Sequence, residues 1–178
     1  MRQILTALFV ATLGLTGCGS SETAADADRS EAPVKTAKVG EPITVTGRTY
    51  GLKLRVTARR VKPAVPTDPF AIVDRGKKLV AVKFRLVNTG RASYVEAPGN
   101  DARVVDADGR HYRADLFFDR ISVGEMLPSV VKLRPRKRTS GYITFQVPVH
   151  ATITRIRFAL EDSIHGAAQW NVRSPDPT

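Results

Sequence analysis

The stretch that decides the fold is KKLVAVKFRLVNTG, residues 77–90. Val80, Val82, Phe84 and Leu86 share one parity of an extended chain, so they face the same side of a β-strand. The opposite side also carries aliphatic residues between its cations. Apolar residues on both faces are typical of a central strand that is covered on both sides. The stretch therefore predicts an inner strand, and its closing Asn-Thr-Gly predicts a turn.

Shorter strands are predicted on both sides of this one. Between residues 52 and 59, aliphatic side chains alternate with lysine, threonine and arginine, so one face turns inward while the other stays wet. Asp-Ala-Asp-Gly at 106–109 joins two extended runs and is typical of a β-hairpin. In the run 141–148, Tyr142 has the opposite parity to Ile143 and Phe145. Further strands are predicted at 43–46, 102–105, 111–113, 130–133, 153–160 with a parity shift near Thr154 that indicates a bulge, and 170–172.

Two segments lack a clear strand pattern. Pro63, Pro66 and Pro69 each remove a backbone donor, so we interpret residues 62–76 as a loop with extended pieces. Residues 114–129 fit either a helical turn or a crossing loop. Several short strands without long helical periods predict an all-β protein, an antiparallel β-sandwich over residues 40–178.

The segment before residue 40 has a different character. Arg2 precedes an apolar run that is too short to span a bilayer as a mature helix, which is typical of a secretory signal peptide. The run ends at Leu15-Thr16-Gly17-Cys18, which resembles the lipobox of bacterial lipoproteins. The resemblance implies a signal peptide over residues 1–17 and a lipid on Cys18. Residues 18–39 are mostly small, polar or charged, so we predict a lipidated, disordered tether there.

Cysteine usage and net charge limit the function. With Cys18 acylated, no thiol remains for a disulfide, a nucleophile or a metal site. The formal net charge is +11, and because acidic and basic residues balance before residue 40, the predicted domain carries all of it. Such a field favours polyanions, and for an exported protein these are lipid headgroups and cell-wall polymers rather than nucleic acid. A soluble surface rich in arginine explains the charge equally well.

Four motifs, in their order along the chain, resemble those of a known family. They are Gly40-Glu41, the stretch 76–90, the run 104–110 and the run 141–148. The order is similar to that of an uncharacterised immunoglobulin-like family common in Gram-positive lipoproteins, which is similar in fold to a mycobacterial secreted immunogenic antigen. The resemblance implies an immunoglobulin-like β-sandwich and an extracytoplasmic location, and it brings no catalytic residues. The family often has glycine in a Leu-x-Pro-Gly turn where this chain has Leu133-Arg134-Pro135-Arg136, so the geometry of that turn is left open.

The densest run of charge lies around that turn. Its cations, with no carboxylate among them, are Lys132, Arg134, Arg136, Lys137 and Arg138. One hypothesis is a surface for anionic lipid or wall polymer, and the other is a solvated turn between strands.

No catalytic, metal or cofactor site is predicted. The motifs of serine nucleophiles, phosphate loops and dinucleotide folds are missing. The aspartates around Gly109 lack the distal glutamate of a calcium loop, and the three histidines share no metal-ligand spacing. A sugar-stacking surface stays open as an alternative use of Tyr50, Tyr94, Tyr112 and Trp170.

The sequence thus predicts a monomeric, non-enzymatic lipoprotein on the extracytoplasmic face of the cell membrane. Its predicted partners, besides the membrane that holds its lipid, are an envelope protein, anionic lipid or cell-wall polymer, with no nucleic acid and no cofactor. The alternative is an accessory enzyme or carbohydrate-binding module of cell-wall metabolism.

Overall fold

Strands make up almost all of the regular structure, as the alternation predicts. The computed structural model describes residues 34–68, 71–115, 118–160 and 167–172, all within the compact unit Glu31–Thr178. In chain order its elements are β1 (Lys35–Lys38), β2 (Pro42–Thr46), β3 (Lys53–Ala64), β4 (Lys77–Asn88), β5 (Tyr94–Glu96), α1 (Pro98–Asp101), β6 (Ala102–Asp106), β7 (His111–Arg113), β8 (Val131–Leu133), β9 (Arg138–Pro148), β10 (Ile153–Phe158) and β11 (Ala168–Asn171).

These strands form two main sheets. One has five strands in the order β1-β11-β10-β6-β7, the other has four in the order β2-β3-β4-β9, and β5 and β8 form a separate pair. Among the pairs of named strands, all are antiparallel except β1 with β11. The predicted antiparallel β-sandwich is confirmed, and β4 is the inner strand that its two apolar faces predict. The predicted bulge is confirmed as well, as a register shift between Ile153 and Arg155.

The inner faces of the two main sheets share one hydrophobic core. Phe84 of β4 is fully buried, and its ring centroid lies 5.7 Å from that of Phe158 and 6.4 Å from that of Trp170. The Trp170 indole N–H donates to the carbonyl oxygen of Glu41 at 2.8 Å, so this buried aromatic residue has its polar atom satisfied. The inward parity predicted for β4 is confirmed, because its members of that parity all belong to this core.

A second, smaller core lies on the outer face of the four-stranded sheet. It forms where a crossing segment, residues 118–127, packs on that face. Its buried members are Ala64, Leu79, Ala81, Phe118, Ile121 and Tyr142. The Leu127 N–H donates to the Tyr142 carbonyl at 2.8 Å, and a Cβ on Gly141 would lie only 2.5 Å from the Leu127 nitrogen. Glycine at 141 therefore lets the crossing segment approach β9 closely.

The crossing segment also decides between the two interpretations of residues 114–129. The described part of that range makes isolated bridges, Asp115 with Thr144 and Met126 with Tyr142, and contains no helix. The described residues, 114–115 and 118–129, form a crossing loop, whereas residues 116–117, inside the run 115–121 for which a helical turn was the alternative, lie outside the described residues.

The tether predicted for residues 18–39 is wrong at its C-terminal end. Lys35–Lys38 form β1, which pairs with β11 from Lys35 opposite Ala168 to Lys38 opposite Asn171. The domain therefore begins before Gly40. Most β1 side chains are exposed, so the strand is held by backbone pairing with a distant segment, which composition does not reveal.

The loop predicted for residues 62–76 is wrong at its start. β3 continues to Ala64, and Pro63 pairs with Val80 of β4. Proline is tolerated there because β2 pairs with β3 only as far as Thr57, so beyond that point β3 is an edge strand that needs no donor on its open side.

Some predictions fall outside the described residues, namely the signal peptide 1–17, the lipid site Cys18 and one histidine, His165. Within the described ranges, no helix has the length and apolar character needed to cross a bilayer.

Candidate anion-binding groove

The crossing segment covers only one end of the outer face of the four-stranded sheet, and the other end carries arginines. Strand register sets their spacing: Arg55 of β3 and Arg138 of β9 lie on either side of Val87 in one cross-strand row. Arg85, two residues from Val87 along β4, is diagonal to both. Diagonal neighbours on a sheet face are about 7–8 Å apart, so the three side chains arise from one small area.

These arginines line a concave surface of about 330 Å³, which we call the arginine groove. Its cations are Arg55, Arg59, Arg85, Arg136 and Arg138, and it has no lysine in its lining. Arg59 is the extra residue of a β-bulge, because the pairing steps from Ala58 directly to Arg60. A bulge re-aims the side chain it carries. The uncharged lining comes from Gly40, Pro42, Thr57 and Val87.

The groove lacks neutralising carboxylates. None of the strands β2, β3, β4 and β9 contains Asp or Glu. The salt bridges in the described part of the chain, Lys77 with Asp74 and Arg110 with Asp108, lie elsewhere and are exposed. No described carboxylate pairs with any groove arginine. The groove is therefore a concentrated positive surface without a carboxylate in its lining; Glu41, between the lining residues Gly40 and Pro42, accepts the Lys38 N–H at 2.9 Å.

One groove arginine sits in a conformation that normally favours glycine. Arg136 has φ of 67°, it follows Pro135, and the Lys137 N–H donates to the Arg134 carbonyl at 3.0 Å. Proline followed by a positive φ is the pattern of a type II turn. The turn whose geometry the sequence leaves open thus has the shape that glycine would give it. A non-glycine residue in this region costs about 1–2 kcal/mol.

Asn88, at the end of β4, fixes this turn in place. Its N–H donates to the Lys137 carbonyl at 3.0 Å, and its carbonyl accepts the Arg136 N–H at 2.9 Å. Its side-chain amide is fully buried and donates to the carbonyl oxygens of Ala92 and Leu133, both at 2.8 Å. The backbone that carries Arg136 is therefore tied to the central strand of the sheet.

The structure divides the basic run that the sequence singles out. Arg136 and Arg138 line the groove. Lys132 belongs to β8, and Lys132, Arg134 and Lys137 are exposed without lining the groove. The run thus contributes two arginines to a larger cationic site, and its other three cations are solvated outside that site.

Three groove arginines are missing from the sequence-based candidates, namely Arg55, Arg59 and Arg85. The alternation in residues 52–59 places the first two on the wet face, which the structure confirms. Sequence alone does not show that β4 and β9 lie beside β3 on that face. A signal was present nonetheless, since four strands of one sheet hold many cations and no acid.

The aromatic residues considered for sugar stacking do not share a surface. Tyr94 and Trp170 are fully buried, whereas Tyr50 is 94% exposed. The Tyr94 hydroxyl donates to an Asp101 carboxylate oxygen at 3.2 Å. Burial first, and then the neighbouring carboxylate, raises the pKa of Tyr94 far above its usual value, so it stays a neutral donor.

The predicted Asp-Gly hairpin is present and has a structural role. Gly109 takes φ of 82°, and the Tyr112 hydroxyl donates to an Asp106 carboxylate oxygen at 2.6 Å. That hydrogen bond, aided by the Arg110 N–H, lowers the pKa of Asp106. Asp106 therefore holds the hairpin, and no group of metal-ligating side chains occurs among the described residues.

Comparison with known proteins supports the fold. No family model matches the sequence, and no curated protein matches it. A secreted protein of Mycobacterium tuberculosis, MPT63, is similar in structure, with a TM-score of 0.58 and 16% identity over 80% of this chain and 100% of that one. A candidate lipoprotein of Bacillus subtilis, ycdA, gives a TM-score of 0.54 and 12% identity over 76% of this chain and 38% of that one. At these identities the likeness shows the fold alone.

Proposed function

We propose that this chain is a non-enzymatic, extracytoplasmic lipoprotein whose arginine groove binds a polyanion of the cell envelope. The observation that carries the proposal is the gathering of five guanidinium groups in one concavity that no described carboxylate neutralises. A guanidinium group donates paired hydrogen bonds to phosphate or carboxylate and is more weakly hydrated than an ammonium group. A bound polyanion would therefore form charge-assisted hydrogen bonds at several points at once.

Clustering the positive charges of the arginines raises their mutual repulsion, and a bound anion would relieve it. The backbone positions of diagonal neighbours are about 7–8 Å apart, and unit charges held at that spacing repel by about 0.5 kcal/mol at the dielectric constant of water and by about 2 kcal/mol at the effective value near a protein surface. Guanidinium groups that spread apart repel less. A merely solvated face relieves this repulsion with interspersed acids, and the four strands of this sheet have none. The arrangement is better suited to binding than to stability.

The location is inferred from the N-terminal sequence. A lipid on Cys18 with two acyl chains supplies the two hydrophobic signals that stable anchoring needs. The domain would then lie close to an anionic surface, where each cation near lipid adds up to about 1 kcal/mol of attraction, less when salt screens it. Because the lipid already anchors the chain, the groove is free to capture another ligand.

The test compares two variants of the full-length chain, each with Cys18→Ser so that no lipid contributes. The groove variant carries Arg55→Ser, Arg85→Ser and Arg138→Ser. The matched control carries Lys132→Ser, Arg134→Ser and Lys137→Ser, which removes the same charge from residues outside the groove. Binding of soluble anionic polymers and anionic vesicles is measured across a salt series, after circular dichroism has shown that both variants fold.

The groove variant should lose most of the binding, and its slope of log affinity against log salt should fall by about 2 to 3. The control should stay close to the parent. Equal loss in both variants would mean that net charge alone attracts the polymer, and absence of binding by the parent would contradict the proposal directly.

A further inference from the structure

We infer that the ligand of the arginine groove is a linear phosphodiester polymer without rings. We also infer that Arg136 gives the groove its preference for that polymer over a carboxylate polymer. The inference rests on the proposed function and narrows it. None of the lining residues is aromatic. Sugar rings and nucleobases are commonly recognised by stacking on aromatic side chains, so the groove offers them little. An acyclic chain such as a polyol phosphate needs no such platform.

The shape of the groove favours a chain over a membrane surface. The lining runs from Gly40 and from Pro42 of β2 to Arg138 of β9, across about 14 Å if strands are spaced by about 4.8 Å. None of the large exposed apolar side chains of the described chain lines it. A concave surface whose apolar lining is limited to Pro42 and the half-buried Val87 suits an extended polymer better than a flat bilayer.

The choice of cation favours anionic groups that offer two oxygens to one guanidinium group, as a phosphodiester does. Lysines occur in the same strands, such as Lys53 and Lys83, yet every cation that lines the groove is an arginine. Each phosphodiester has one negative charge and two unesterified oxygens, which one planar guanidinium group can bind in paired fashion. Arg55 and Arg138 start about 7–8 Å from Arg85 on the sheet, so successive anionic groups along a chain can each meet their own arginine.

Arg136 is the part of the site that the backbone sets in advance. Its positive φ belongs to a turn closed by the Lys137 N–H and held to β4 by the backbone of Asn88. Arginine at a position that glycine adopts more easily, with its side chain lining the groove, is backbone strain at the proposed site, which we interpret as part of its function. Because the turn is already fixed, the backbone at Arg136 loses less conformational entropy when a ligand binds.

The test uses the full-length Cys18→Ser chain and isothermal titration calorimetry. The probes are synthetic poly(glycerol phosphate), poly-L-glutamate of matched charge, and phosphatidylglycerol vesicles. The variants are Arg136→Gly, which removes the side chain and suits the turn, and Arg136→Lys, which keeps the charge without the planar fork. Arg134→Ser, in the same turn but outside the groove, is the control.

The parent should bind poly(glycerol phosphate) at least about tenfold more tightly than poly-L-glutamate. Arg136→Gly should weaken phosphate-polymer binding at least about tenfold and lower the salt slope by about 0.7 to 0.9. Arg136→Lys should weaken it by a smaller factor with the slope unchanged, and Arg134→Ser should bind like the parent.

Three results would overturn the inference while leaving the proposed function intact. They are equal affinity for the two polymers, parent-like binding by Arg136→Gly when the triple groove variant has lost it, and binding to vesicles alone. If the parent binds none of the three probes, the proposed function itself fails.

Discussion

Replacing Asn88 with alanine should destabilise the domain far more than its position at a strand end suggests. The side chain is fully buried and makes three hydrogen bonds: it donates to the carbonyls of Ala92 and Leu133 and accepts the Gly90 N–H at 2.9 Å. In Asn88→Ala the Gly90 N–H keeps a second acceptor, the Lys53 carbonyl. The two carbonyl oxygens lose the donor that the Asn88 amide supplied.

The magnitude follows from where those carbonyls lie. A buried group left without its partner costs about 1–3 kcal/mol. The bond to Leu133 is buried and the bond to Ala92 only partly, so water can replace the second more easily. Together they predict a loss of about 2–4 kcal/mol in the free energy of unfolding, which lowers the Tm by roughly 10 °C for a domain of this size.

The assay is urea denaturation followed by tryptophan fluorescence, since Trp170 lies in the core that unfolds. Thr89→Ala is the control, because that exposed neighbour makes one weak contact, 3.3 Å from its hydroxyl to the Lys53 carbonyl, and should change stability by less than about 0.5 kcal/mol. A loss below about 1 kcal/mol in Asn88→Ala, the value common to unselected substitutions, would refute the reasoning.

Four further outcomes are expected. Phe84→Ala should cost about 3–5 kcal/mol in urea denaturation, because it leaves a large cavity between aromatic rings; a cost near 1 kcal/mol would contradict its place in the core. A chain that begins at Gly40 should melt at a lower temperature than one that begins at Glu31, since it lacks β1; equal melting would show that β1 adds nothing. Tyr112→Phe should reduce stability above about pH 4, where Asp106 is ionised in the unfolded chain, and this deficit should shrink as pH falls through the lowered pKa of folded Asp106; a deficit that does not change with pH would argue against the carboxylate. Cys18→Ala should abolish metabolic labelling by a fatty acid, and equal labelling of both forms would exclude lipidation at that residue.

The fold was accessible from sequence wherever burial imposes a period of two. The parity of Phe84 and its neighbours predicts the inner face, and the parity of Tyr142 predicts the face opposite to Ile143 and Phe145; the two separate cores confirm both. The Asp-Gly hairpin was equally predictable, because turn chemistry acts within a few residues.

Features that depend on distant neighbours were not accessible. β1 is polar, and nothing in its composition shows that β11 offers it a free edge. The sequence predicts that Pro63 breaks the strand, because it does not show that β2 pairs with β3 only as far as Thr57. The groove also depends on distant neighbours. Arg55, Arg85 and Arg138 are far apart in sequence, and only strand order and register bring them onto one area of the sheet.

The outer face of the four-stranded sheet has one half covered by the crossing segment and one half with the arginine groove. This explains where the groove lies, though not why all its charged residues are cations. The Met126–Tyr142 bridge marks one limit of the covered half, and the Lys83 ammonium group lies 5.4 Å from the centre of the Tyr142 ring at that boundary. Beyond it, in the row that pairs Arg85 with Ser140, Ser140 is exposed and Arg85 is half-buried, so the Arg85 side chain keeps contact with water. An exposed face of this kind tolerates acids as readily as bases, and mixing them would lower the repulsion within the groove. Tolerance alone therefore does not account for arginine at five positions with no carboxylate between them, whereas the proposed anionic ligand, spanning the strands, would.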